Sequence, residues 1–189
     1  NLTTYIECLD NFRFKGQKEI ITNLSGSAEC YKALTSNGFF IFASWDGHTA
    51  AVFEKLRAGS DFIDVTKKLI QLAEDLRDES YRLNLIFTVQ DDNIDSILPV
   101  TAMAVELGIG LVIFNMVNEE QEPAWMSEKS DFIYKVFAEA LNLTFKSRTK
   151  LRIPDHIGKF KTKLSFVNRT SGTRCDRPWR EVMINYDCL

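Results

Sequence analysis

The chain has 189 residues, of which 45% are hydrophobic and 26% are charged, and its formal net charge is −3 at pH 7. This length can bury one sizeable core, and the composition is that of an ordinary soluble globular protein. The negative charge argues against a general nucleic-acid binder, which needs clustered Lys and Arg. No apolar run approaches the roughly 20 residues that span a bilayer, and the first residues are polar. We therefore expect no nucleic-acid partner, no membrane segment and no signal peptide.

Short apolar runs bounded by turn residues alternate with stretches whose apolar residues recur at helical spacing. The runs predict strands at 19–22, 39–43, 83–89 and 111–117. The amphipathic stretches predict helices at 2–14, 27–34, before 56–59, at 62–76, 94–107 and 130–143. Such alternation implies right-handed crossovers and a parallel sheet, so the expected fold class is α/β, as part of a (β/α) barrel or as a small open sheet. No Gly-x-Gly-x-x-Gly or Walker loop supports a dinucleotide or P-loop fold.

The composition changes after Lys150, where the chain becomes basic and irregular up to Leu189. We place a domain boundary there, with one domain at 1–150 and a second region at 151–189. A basic tail is more often a solvated surface than an anion site.

The four cysteines, Cys8, Cys30, Cys175 and Cys188, are widely spaced along the chain. No two of them form the Cys-x-x-Cys pair of a zinc or redox site, and their spacing differs from that of disulfide-dense secreted domains. We therefore expect a reducing, cytoplasmic environment.

The stretch from Phe39 to Gly59 carries the clearest candidate site. The apolar run at its start predicts a strand buried on both faces, and a polar cluster from Ser44 to His48 follows it. Ligands of parallel α/β sheets meet the carboxyl ends of the strands, so this cluster is the expected ligand contact. The alternative is a plain strand-to-helix turn, in which Gly47 permits the bend and Asp46 caps the helix.

Three short motifs lie at or after the predicted strands: Thr22-Asn-Leu, Ser44-Trp-Asp-Gly and Arg57-Ala-Gly-Ser-Asp-Phe. In their order and spacing they resemble the middle of a radical SAM enzyme. Members of that family often read Thr-Asn-Gly, then Ser-x-Asp-Gly, then Arg-x-Gly-x-x-Phe, so Leu24 replaces the first glycine here. Asn93 and Glu106-Leu-Gly-Ile fit the same order. The resemblance covers nearly the whole chain and implies a partial (β/α) barrel of the radical SAM type.

The tail resembles the opening of the SPASM extension that many of these enzymes carry. Cys175-Asp-Arg-Pro-Trp matches the usual Cys-x-x-Pro-Trp entry. The resemblance implies that 151–189 is a linker and the start of a SPASM-like region, with Cys175 as a metal ligand of an auxiliary cluster. Cys188 stands where the family often has glycine, and we interpret it as an unpaired thiol.

One departure from the family is large. Radical SAM enzymes bind a [4Fe–4S] cluster through Cys-x-x-x-Cys-x-x-Cys, and this chain has no such motif. Cys8 and Cys30 cannot supply three converging thiolates. We therefore expect a fragment of a parent enzyme, inactive alone and holding no cofactor tightly. The parent would cleave S-adenosylmethionine reductively to a 5′-deoxyadenosyl radical and modify a peptide, protein or small-molecule substrate.

The resemblance implies cofactor-binding roles for four residues and assigns no catalytic residue. Ser44 would pair its hydroxyl with the methionyl part of S-adenosylmethionine, and Arg57 would present its guanidinium to the carboxylate. Asn23 would line the same mouth, and Gln90 would reach the ribose. The plain alternatives are a turn residue for Asn23 and a surface helix arginine for Arg57. Asp46 is expected to be a turn cap rather than an acid.

Two other classes of protein stay open. The chain could be a cluster-free α/β domain that binds a peptide or nucleotide, or an unrelated α/β metabolic enzyme. A Cys-x-x-x-Cys-x-x-Cys upstream in the same gene would favour the radical SAM interpretation, whereas the unrelated enzyme would need a catalytic pair across strand ends. His48 and His156 have no partners at metal-ligand spacing and are interpreted as structural. An incomplete barrel exposes a parallel sheet edge, so we also expect self-association, or order only beside the rest of the parent.

Overall fold

The computed structural model describes residues 16–117 and 124–154. All of these described residues belong to one compact unit. The predicted helix at 2–14 and the SPASM-like tail with Cys175 lie outside the described residues, as do Cys8, His156 and Cys188.

Strands and helices alternate along the described chain. The strands are β1 Glu19–Thr22, β2 Phe40–Ser44, β3 Leu83–Val89, β4 Leu111–Met116 and β5 Lys150–Arg152. The α-helices are α1 Ala28–Ser36, α2 Ala50–Leu56, α3 Phe62–Asp75, α4 Ile97–Glu106, α5 Ala124–Glu128 and α6 Ser130–Thr144. Two 3₁₀ helices, Arg77–Arg82 and Asp91–Ser96, precede β3 and α4.

The five strands form one parallel sheet whose spatial order, β1-β2-β3-β4-β5, is also their order in the chain. Right-handed crossovers in such a sheet place the connecting helices on one face, as in an arc of a (β/α) barrel. The predicted α/β class with a parallel sheet is confirmed. The sequence predicts four of these strands and misses β5, because Lys150-Leu-Arg has three residues and only one of them is apolar.

The two faces of the sheet differ in burial. On the helix-covered face, residues of the three central strands are at most 1% exposed: Ile41, Ala43, Leu83, Leu85, Phe87, Val112 and Phe114. The ring of Phe114 meets that of Phe137 in α6 at a centroid distance of 5.2 Å. On the opposite face, here called the open face, Phe40 and Phe42 are half-buried and Ile21 is 65% exposed. The prediction that β2 is buried on both faces is therefore wrong for the open face.

The helix starts follow local capping. Thr49 caps α2 by accepting a hydrogen bond from the Val52 N–H at 3.4 Å, so the prediction that Asp46 caps this helix is wrong. The helix predicted from residue 94 begins at Ile97, because the residues before it form a 3₁₀ helix. Pro99 consequently falls in the first turn of α4, where a missing N–H leaves no helical hydrogen bond unmade.

No helix within 16–117 and 124–154 combines the length and apolarity needed to cross a membrane.

Arg82 ties the amino end of the sheet together. Its side chain is buried, and its Nε and Nη2 both donate to the Phe39 carbonyl, at 3.2 and 3.0 Å. The same guanidinium donates to the Thr35 carbonyl and pairs with Glu79. One side chain at the start of β3 therefore satisfies backbone carbonyls at the end of α1 and just before β2.

Candidate functional site

The turn after β2 packs against α2 and α3. The Trp45 N–H donates to the Ile86 carbonyl at 2.8 Å, which extends the pairing of β2 with β3 by one residue. The Trp45 ring is fully buried and contacts Phe53 and Phe62 at centroid distances of 5.1 and 5.7 Å. A Cβ on Gly47 would lie 2.7 Å from the Phe53 nitrogen, so glycine is needed here for the close approach of two backbones.

Asp46 joins this turn to β3 and to Arg57. Its Oδ1 accepts a hydrogen bond from the Thr88 N–H at 2.7 Å, and its Oδ2 pairs with Arg57 Nη2 at 2.6 Å. Asp46 is 5% exposed as a residue, and the Arg57 side chain is 23% exposed. Both carboxylate oxygens are occupied, so Asp46 acts as a structural anion rather than as an acid open to a ligand.

Asn93 completes the link between the carboxyl ends of β2 and β3. Its amide nitrogen donates to the carbonyls of Asp46 and Thr88 at 3.0 and 2.9 Å, and its Oδ1 accepts from the Gln90 N–H at 2.8 Å. Asn93 is 1% exposed. The sequence places Asn93 in a family motif but gives it no role; the signal that marks it is an amide four residues after the end of β3, where it can bind local backbone.

Ser44 ends β2 on the open face, half-buried and opposite Ile86. Within the part of the chain that the structure describes, its hydroxyl makes no hydrogen bond. Two residues beyond Ile86, Thr88 of β3 pairs with Asn115 of β4. They lie on the same face because side chains alternate along a strand. The open face is therefore polar at its carboxyl end, and further back Phe42 lies beside Asn84 of β3.

Asn23 and Leu24 form the turn after β1. The Asn23 Oδ1 accepts from the Ser25 N–H at 3.1 Å, a side-chain turn typical of this residue type. Leu24 has a φ of +60°, in the left-handed region that favours glycine, and it occupies the position where the radical SAM pattern has glycine. Its N–H donates to Thr22 Oγ1 at 3.0 Å, and its carbonyl accepts from Lys68 at 3.2 Å.

Gln90 follows β3 directly and is half-buried. Its N–H is held by Asn93, so its backbone is fixed at the same edge as Asp46. His48 is exposed, and its Nδ1 lies 2.8 Å from the Oγ of Ser96, which is 1% exposed. The sequence does not predict this contact, because 48 residues separate the two side chains.

Three of the four expected ligand-binding residues thus end or follow consecutive parallel strands: Asn23, Ser44 and Gln90. The fourth, Arg57, follows α2 but is drawn to the same edge by Asp46. These groups suit a polar, zwitterionic ligand, since a free hydroxyl and a guanidinium lie on neighbouring parts of one edge. The Arg57 Nε is buried and makes no hydrogen bond, so its donors are not all used by the described protein.

An iron–sulfur cluster does not fit the described residues. No three His, Cys, Asp or Glu side chains among residues 16–117 and 124–154 come close enough to hold a metal ion. Cys30, in α1, is a free thiol in this part of the chain. The cluster ligands of a radical SAM enzyme would have to lie outside these residues, as the expected ligand Cys175 does.

Comparison of the chain with protein-family models and with curated proteins finds no match.

Proposed function

We propose that this chain is part of a radical SAM enzyme with a SPASM-type C-terminal extension, and that the carboxyl edge of its sheet binds S-adenosylmethionine. Such an enzyme cleaves S-adenosylmethionine reductively to a 5′-deoxyadenosyl radical and uses it to modify a peptide, protein or small-molecule substrate. A cytoplasmic location belongs to the same proposal, because iron–sulfur enzymes of this kind need a reducing compartment.

The observation that supports the proposal is the convergence of the motif residues on one edge. Asn23, Ser44 and Gln90 lie at the carboxyl ends of β1, β2 and β3, which are neighbours in a parallel sheet. In (β/α) barrels this edge carries the active site. A sheet whose spatial order equals its chain order is also what an arc of a barrel requires.

Leu24 gives independent support. Its left-handed backbone conformation is costly for a residue with a Cβ, yet the chain adopts it at the position of the family's glycine. The Leu24 side chain itself is 1% exposed and belongs to the core.

In this proposal the described residues bind and orient S-adenosylmethionine. The Ser44 hydroxyl and the free donors of Arg57 hold its methionyl amino and carboxylate groups, and the turn at Asn23 and the backbone after β3 border the site. The cluster that supplies the electron is bound elsewhere in the parent protein.

Calorimetric titration of the full-length protein with S-adenosylmethionine tests the proposal. Ser44→Ala and Arg57→Ala should each weaken binding, because a hydrogen bond to a charged group contributes roughly 1.5–3 kcal/mol, or about ten- to a hundredfold in affinity. Ser36→Ala and Arg148→Ala change exposed residues of the same types away from this edge and serve as controls. Unchanged affinity in both site variants would leave these residues as ordinary turn and helix-end groups.

A second candidate is a cluster-free domain that binds a peptide or nucleotide at the same edge. The lack of a Cys-x-x-x-Cys-x-x-Cys motif in the sequence favours it. The two candidates differ in what the full-length protein does under reducing conditions. A cluster-free domain would bind its ligand without forming 5′-deoxyadenosine.

A further inference from the structure

We infer that Asp46 is a positioning residue, which fixes the Arg57 guanidinium at the carboxyl edge before a ligand arrives, and that Asn93 fixes Asp46 in turn. The inference rests on the proposed function, since it concerns the same S-adenosylmethionine site. It assigns a role to two buried polar side chains that do not themselves contact the ligand.

The two carboxylate oxygens of Asp46 have separate partners. Oδ1 is bound by the Thr88 N–H, a donor that belongs to β3 and moves only with the sheet. Oδ2 is bound by Arg57. The carboxylate is therefore a bridge. Through it, the long and rotatable Arg57 side chain is held at a fixed position relative to the sheet. Because Asp46 is 5% exposed, water and salt compete little for this contact.

Asn93 fixes the backbone on both sides of that bridge. It donates to the carbonyl of Asp46 and to the carbonyl of Thr88, the same residue whose N–H binds Asp46 Oδ1. One side-chain amide thereby joins β3 to the turn after β2. Such supporting hydrogen bonds hold a ligand-binding group in a single orientation, as they do for the ligands of metal sites.

Arg57 keeps donors for a ligand while it is held. A guanidinium carries five N–H groups, and Asp46 binds one nitrogen, Nη2. The Arg57 side chain is 23% exposed, so a ligand at the carboxyl edge can reach part of it.

The same edge offers a matched control. Asp92 pairs with Lys55 at 2.9 Å, but its side chain is 54% exposed and it does not contact Arg57. Asp92→Asn therefore makes the same chemical change as Asp46→Asn, next to the same site, without touching the bridge. The asparagine at 46 can still accept the Thr88 N–H, so this variant preserves the fold while removing the negative charge.

The first test needs no ligand. In the ¹⁵N-labelled protein, the Arg57 Nε–H signal is assigned by its loss in Arg57→Lys. We expect a distinct, slowly exchanging signal in the wild type and in Asp92→Asn. In Asp46→Asn the Arg57 signal should broaden and move to the chemical shift that mobile arginine side chains share. An unchanged Arg57 signal in Asp46→Asn would overturn the positioning role, whatever the protein binds.

The second test is a double-mutant cycle measured by titration with S-adenosylmethionine. Asp46→Asn should weaken binding about tenfold, as the loss of a supporting group does, and Asp92→Asn should leave it unchanged. In an Arg57→Ala background, Asp46→Asn should have no further effect, because it acts through the guanidinium. The same tenfold loss in both backgrounds would contradict the inference. A wild-type protein that binds no S-adenosylmethionine would instead refute the proposed function, and the labelled-arginine experiment would still decide the positioning role.

Discussion

Replacing Leu24 with glycine should cost the protein less stability than replacing it with alanine. Leu24 is 1% exposed, so either change removes a buried side chain, and Leu→Ala substitutions in cores cost about 2–5 kcal/mol. The two variants differ in the backbone. Alanine keeps the penalty for a φ of +60°, about 1–2 kcal/mol for a residue with a Cβ, and glycine removes it.

Two effects reduce this advantage of glycine over alanine. Glycine lacks the buried Cβ that alanine keeps, and it has more conformational freedom in the unfolded chain. Where φ is positive, the strain in alanine exceeds these terms, and we expect Leu24→Gly to be about 1 kcal/mol more stable than Leu24→Ala. Leu69, fully buried in the middle of α3, is the matched control. There the order should reverse, with glycine about 1 kcal/mol less stable than alanine.

Urea unfolding of the four variants measures both differences with the same probe. The predicted contrast between the two sites is about 2 kcal/mol, which exceeds the usual error of such a comparison. If glycine is worse than alanine by the same amount at both positions, the turn after β1 is not held in a left-handed conformation, and the support that it gives to the radical SAM proposal is lost.

Three further predictions concern the rest of the molecule. Arg82→Ala removes three hydrogen bonds from a buried guanidinium to the carbonyls of Thr35 and Phe39, and it should lower the free energy of unfolding by at least about 2 kcal/mol in urea titrations; a loss below about 0.5 kcal/mol would show that water replaces the guanidinium. This polypeptide alone, reconstituted anaerobically, should hold no stoichiometric four-iron cluster, and iron and sulfide analysis that finds one would refute the argument from the missing cysteine triad. The open face and the edge of β1, where Ile21 is 65% exposed, should make the chain self-associate in light scattering across a dilution series, and a compact monomer at micromolar concentration that binds no hydrophobic dye would contradict this.

The fold class was predictable because each long element has a clear local pattern. β2, β3 and β4 are apolar runs between turn residues, and α3 has a regular apolar stripe with Asp61 as its cap. β5 has no such pattern: it is a three-residue strand whose Lys150 and Arg152 are exposed, and pairing with β4 defines it. The 3₁₀ helices were missed because their sequences, such as Arg77-Asp-Glu-Ser-Tyr-Arg, have no apolar period.

The candidate site was predictable only as a location. The polar residues after each strand pointed to the carboxyl edge, and the parallel sheet brings them there. The hydrogen bonds and ion pairs within this edge could not be predicted, because they join residues that are far apart in sequence. Asp46 lies 42 positions from the backbone N–H that it binds, and His48 lies 48 positions from Ser96. Asp46 illustrates the difference: a turn-capping role was expected from its neighbours, whereas its two contacts are with β3 and with Arg57.

The central claim, that this chain forms the S-adenosylmethionine-binding wall of a radical SAM enzyme, is tested most directly by 5′-deoxyadenosine formation. The full-length protein, reconstituted with iron and sulfide and reduced anaerobically, is incubated with S-adenosylmethionine, and the product is quantified by chromatography. We expect 5′-deoxyadenosine from the wild type, strongly reduced amounts from Ser44→Ala and Arg57→Ala, and wild-type amounts from Ser36→Ala. A reconstituted wild type that forms none, or site variants that form as much as the wild type, would contradict it.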